Sequence, residues 1–172
     1  MACIRVFCTA STLPSLRDCL GFAAGAGEGV ILAIDIDDIA AVDADSSSWS
    51  AVRLLYREDA SPLAVTVTRD TDTAPDFRTT LQHFLAVLDR NTDAQASTVR
   101  AHLAATRAIV TVALPALPVD PDQTDETNET NEDALESVAW FTRIFVEQYN
   151  GLLQADGDGF YDRDNDLILA LP

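Results

Sequence analysis

The densest group of residues able to do chemistry lies near the C-terminus, where carboxylates alternate with other residues. Asp156 and Asp158 stand two apart, and Asp162, Asp164 and Asp166 form a D-x-D-x-D run. A calcium ion collects roughly six to eight hard oxygens on a bent loop, so these five residues are candidate ligands for Ca2+ or Mg2+. The spacing is not that of an EF-hand, because Leu167 occupies the glycine position and the twelfth position falls beyond Pro172. Turn chemistry accounts for the same residues more simply, since tight turns select Asp, Asn and Gly.

Asp35 and Asp37 fall on one side of an expected strand whose other side carries Ile34 and Ile36. Such a pair suits general acid–base work or magnesium, and equally a solvated strand end. Asp43 and Asp45 sit in a serine-rich loop, where local capping suffices. The run Gly25-Ala26-Gly27-Glu28-Gly29 fails as a phosphate loop: Val30 takes the third glycine position, and the run leads from helix into strand. His83 falls on the polar face of its helix, His102 at the edge of an apolar stripe. Cys8 shares a strand face with Ile4 and Val6 and reads as a small core residue. The chain has no G-x-S-x-G, no H-E-x-x-H and no Cys/His set with zinc spacing.

Trp140, Phe141, Phe145 and Tyr149 place four aromatics within ten residues. Consecutive helical residues point about 100° apart, so one narrow stripe cannot hide both Trp140 and Phe141. Burial on two sides is the favoured expectation. Otherwise Trp140 and Tyr149 face a partner protein or a second copy in a homodimer.

These groups must be positioned by elements that the periodicity outlines. Ala2–Thr9 alternates as a strand. A short helix carrying Leu13, Leu16 and Leu20 follows a cap at Ser11 or Thr12, and the glycines from 21 onward end it. Val30–Ile36 reads as an interior strand, and Trp49–Arg57 with Leu63–Thr68 as a hairpin. A helix starting near Pro75 and Asp76 carries Phe77, Leu81, Phe84, Leu85 and Leu88 on one face. A shorter helix is expected over Thr98–Arg107 after a Ser97 cap, then a buried strand over Ala108–Leu114. Asp120–Asp133 holds seven acids and no large apolar residue, which suggests an exposed loop. Ala134–Asn150 is a strong helix with Gly151 as its left-handed cap. A three-stranded meander completes the order β-α-β-β-β-α-α-β-α-β-β-β.

Meanders of strands favour an α+β fold, with an antiparallel or mixed β-sheet and helices packed mainly on one face. The 172 residues suit a single domain over 1–172 with an acidic exposed loop at about 119–133. Composition narrows the chemistry further. The chain carries 21 Asp, 7 Glu and 11 Arg, no lysine, and a net charge of −17. Phosphate-loop NTPases, kinases and Schiff-base enzymes all need a lysine. Strong net acidity opposes nucleic-acid and anionic-membrane binding, although it also suits solubility in a saline milieu. Three cysteines form no CxxC pair, and with no leader-like N-terminus they suggest a reducing cytoplasm.

The reading that follows is a soluble, acidic, non-enzymatic module that binds another protein, a basic partner above all. The alternative is a divalent-metal or calcium-binding domain built on the C-terminal Asp cluster. No organic cofactor is expected.

Overall fold

A computed structural model describes residues 2–26, 32–35, 43–73, 75–114 and 125–171. The elements run in chain order as β1 (Cys3–Cys8), α1 (Leu16–Ala26), β2 (Ala33–Ile34), β3 (Ala51–Leu55), β4 (Leu63–Arg69) and α2 (Asp76–Leu88). There follow α3 (Ala94–Ala105), β5 (Ala108–Ala113), α4 (Asp125–Gln148), β6 (Gly151–Ala155), β7 (Gly159–Tyr161) and β8 (Leu167–Ala170). The fold is α+β, with an eight-stranded antiparallel sheet in the order β2-β3-β4-β5-β1-β6-β7-β8. Among the described residues no helix is long and apolar enough to cross a membrane.

The chain forms two compact units. The first comprises Met1–Cys3, Pro14–Thr66 and Val112–Ile144. Its hairpin pairs Val52 with Val65 and Leu54 with Leu63, and all four side chains are buried, as alternation at period two requires. Ser15 caps α1, its Oγ accepting from the Asp18 amide at 3.1 Å. The expected Ser11/Thr12 cap is therefore too early, and Gly21 and Gly25 lie inside the helix. The Trp49 indole donates to the Pro14 carbonyl at 3.1 Å, which satisfies its one polar atom in a buried site. The apolar run expected as an interior strand contributes β2 at one end of the sheet order. Residues 30, 31 and 36 of that run lie outside the described residues.

The second unit comprises Ile4–Leu13, Val67–Thr111 and Phe145–Pro172. Its core gathers Phe7 of β1, Phe84 and Leu88 of α2, Leu103 of α3, and Phe160 of β7. Phe84 meets Phe7 edge-on at 5.4 Å and Phe160 at 5.6 Å between ring centroids, the arrangement that the aromatic quadrupole prefers. The stripe on α2 points as its spacing requires, burying Phe77, Phe84 and Leu88. Asp93 caps α3 by accepting from the Gln95 amide at 2.7 Å. That moves the helix start to Ala94, ahead of the Ser97 cap that the sequence suggested.

Two local expectations are corrected at α4. The helix starts at Asp125, so residues 125–133 are helical and not loop. A helix N-terminus favours negative charge, which lets an acid-rich segment join it without apolar residues. Residues 115–124 lie outside the described residues. At the other end, Asn150 adopts the left-handed conformation (φ 48°) and Gly151 does not. A Cβ on Gly151 would strike Val6 Cγ1 and approach the Phe145 carbonyl oxygen to 2.8 Å. Gly151 thus serves close approach, a different use of its missing side chain.

Candidate functional site

Strand pairing creates a candidate site within the second unit. In the β1–β6 ladder Arg5 stands opposite Gln154 and Phe7 opposite Leu152. Directly paired residues share a face, and so do residues two apart on one strand. An arginine and a glutamine are therefore directed to the same side as the Phe7 core. Helix α2 supplies the opposing wall with Thr79, Thr80, His83, Phe84 and Val87, and Gly157 and Leu171 complete the lining. The resulting cleft measures about 540 Å³, within the range of small-molecule pockets.

A charged group on such a face needs partners, and Arg5 has them. Its Nη1 donates to Gln154 Oε1 at 2.8 Å and to the Asp156 carboxylate. The guanidinium also lies 5.7 Å from the centroid of the Phe84 ring, a cation–π contact that limits its swing. Gln154 is only 2% exposed, and its amide nitrogen approaches Asp156 Oδ1 at 3.4 Å. His83 stands exposed at the rim, its ring edge-on to Phe84 at 5.2 Å.

Three of the C-terminal carboxylates are engaged by side chains or backbone amides of the chain. Asp156 holds Arg5. Asp158 accepts from the Tyr161 hydroxyl, and that hydrogen bond raises the Tyr161 pKa. Asp162 Oδ1 accepts from the amides of Asp164 at 2.9 Å and Asp166 at 3.0 Å. Asp164 and Asp166 are exposed. The two turns take positive φ at Gly157 (79°) and Asn165 (65°). Among the described residues no three His, Cys, Asp or Glu side chains are grouped so as to hold a metal ion.

Other sequence candidates lie elsewhere. Asp35 is buried 3.4 Å from Arg53, while Asp37, Gly27 and Gly29 lie outside the described residues. Asp45 pairs with Arg17, which holds the carboxyl below its ordinary range. Burial pushes the Cys8 thiol up to about 12, so it is no nucleophile at neutral pH. His102 Nε2 lies 2.7 Å from the Phe7 carbonyl oxygen. A carbonyl only accepts, so that nitrogen carries the proton.

The aromatic helix is not buried on all sides. Phe141 and Phe145 are buried, whereas Trp140 and Tyr149 are half-buried. Trp140 Nε1 donates to Glu136 at 3.4 Å, and the Arg143 guanidinium sits 5.1 Å from the indole centroid. Tyr149 leans on Phe145 at 6.4 Å.

Arg5 and Gln154 were not candidates on sequence grounds. A signal for Arg5 exists, because alternation puts it on the Phe7 face of an apolar strand. Its partners lie 149 and 151 residues away, and no spacing reveals them. Comparison with protein-family models, curated proteins and solved structures finds no match to this chain.

Proposed function

We propose that this chain is a non-enzymatic binding module whose partner is a basic protein. The observation that carries this reading is the outer surface of α4. There Leu135 is 48% exposed, in a stretch that also carries exposed Glu132 and Glu136 and half-buried Trp140. Exposed apolar side chains interspersed with carboxylates on one helix suit a partner segment that offers apolar and cationic groups together.

The disposition of charge supports it. Arg5, Arg17, Arg53, Arg57, Arg100 and Arg107 each pair with an aspartate of the same chain. Much of the positive charge is thereby held locally, against a total of −17. Long-range attraction then selects cationic proteins and speeds their approach at low salt. Two copies of this chain repel one another by the same charge, which disfavours a homodimer as the occupant. A reducing, cytoplasmic setting accords with this role.

The test immobilises the chain and challenges it at low ionic strength with the basic protein fraction of its own host. A specific member is retained, elutes with salt, and is lost from the Trp140→Ala and Leu135→Glu variants. Equal retention by those variants, or none by the unaltered chain, overturns the reading.

A further inference from the structure

We propose that the cleft of the second unit binds a small monocarboxylic acid with an apolar body, gripped by Arg5. This goes beyond the protein-partner reading and does not depend on it. The argument starts from the donors of Arg5. A guanidinium has five N–H groups, and here Nη1 alone serves Gln154 and Asp156. Among the described residues neither Nε nor Nη2 has a hydrogen-bond acceptor, although the side chain is only 20% exposed. Nε–H and one N–H of Nη2 lie on the same edge of the guanidinium plane. That edge is the fork that matches the two oxygens of a carboxylate.

The surroundings favour a ligand over a merely hydrated edge. Gln154 and Asp156 hold one side of the guanidinium, and Phe84 lies against it. Its ordering cost is therefore met before any ligand arrives. Val87 and Leu171 offer apolar surface, and Thr79, Thr80 and His83 offer polar atoms.

Charge narrows the class. A single guanidinium already facing Asp156 leaves little net positive potential for a dianion. A phosphate would meet that carboxylate with two charges, whereas a planar monoanion brings one and fits the fork. The protein's overall charge opposes anions at long range, but beyond roughly 8–10 Å this is screened at physiological salt.

The test uses amide-resolved NMR titration of the unaltered chain at about 0.15 M salt. The probes are benzoate, 4-phenylbutyrate, hexanoate and indole-3-acetate, with 4-phenylbutyramide and phenyl phosphate as controls. At least one acid gives saturable shifts confined to residues 79–87 and 154–157. The amide and the phosphate bind at least about tenfold more weakly. Arg5→Lys keeps the charge, removes the fork and lowers acid affinity by a similar factor. If Arg5→Lys fails to fold, the acid-against-amide comparison decides alone. Absence of saturable shifts at millimolar acid, equal binding of the amide, or unchanged affinity in a folded Arg5→Lys variant overturns the proposal. Loss of the α4 partner interaction leaves each of these readouts untouched, so the two readings fail separately.

Discussion

Substitution at Gly151 and Asn150 separates two uses of glycine that a sequence alone confuses. If Gly151 carried the left-handed turn after α4, alanine there would cost about 1 kcal/mol and Asn150 would tolerate change. The structure assigns the positive φ to Asn150 and places Gly151 in β6 against Val6 and the Phe145 backbone. An alanine Cβ at Gly151 meets one atom that can rotate away, Val6 Cγ1, and one that cannot, the Phe145 carbonyl oxygen at 2.8 Å. Overpacking of this kind costs about 1–3 kcal/mol, and a fixed backbone neighbour argues for the upper end. Alanine in a strand regains about 0.5–1 kcal/mol over glycine. The net expectation is a loss of about 2 kcal/mol.

Asn150→Gly relieves the left-handed backbone but loses the hydrogen bond from Asn150 Nδ2 to Thr9 Oγ1 at 2.7 Å. These effects offset, and stability stays within about 1 kcal/mol of the parent. Asn150→Ala loses the bond and keeps the strain, costing about 1–2 kcal/mol. Urea unfolding at fixed salt measures all three, with unchanged m confirming that only stability moved. Gly151→Ala within about 0.5 kcal/mol of the parent refutes the close-approach argument.

Two further outcomes follow from the titratable groups. The Cys8 thiol stays protonated in the native state up to about 12 against an ordinary value of 9.0. The native state therefore holds a proton that the unfolded chain releases, and stability falls as pH rises through that window. The slope approaches about 1.4 kcal/mol per pH unit. No lysine titrates in the same range, so Cys8→Ala visibly flattens the loss between pH 9 and 10.5 in urea midpoints. An unflattened slope contradicts the assignment. Secondly, because Asp156, Asp158 and Asp162 are each engaged within their own turns or by Arg5, CaCl2 and KCl at matched ionic strength should shift the unfolding midpoint equally. A calcium-specific rise of several degrees would support the metal-site reading.

Local sequence determined the order of elements. Periods of 2 and 3.6, punctuated by Gly, Pro, Asn and Asp, gave the same β-α-β-β-β-α-α-β-α-β-β-β order that the described residues display. The hairpin of β3 and β4 and the meander of β6, β7 and β8 were legible because each partner follows its neighbour across a short turn. Helix starts were less so. Asp93 and Ser97 are both competent caps, and α4 begins in a segment whose acidity disguised its helical backbone.

Only tertiary structure decided what the site residues do. Arg5 meets Gln154 and Asp156 because β6 lies beside β1, a neighbourhood that no interval in the chain encodes. Gly151 is needed for the same reason, since its constraint comes from Val6 on the adjacent strand and the Phe145 backbone. Asp158 and Asp162 find their partners within their own turns, whereas Asp156 reaches Arg5 across the sheet. A residue's local conformation is set by its neighbours in sequence, whereas the free energy of burying a charge depends on which distant donors and acceptors the folded chain brings to it.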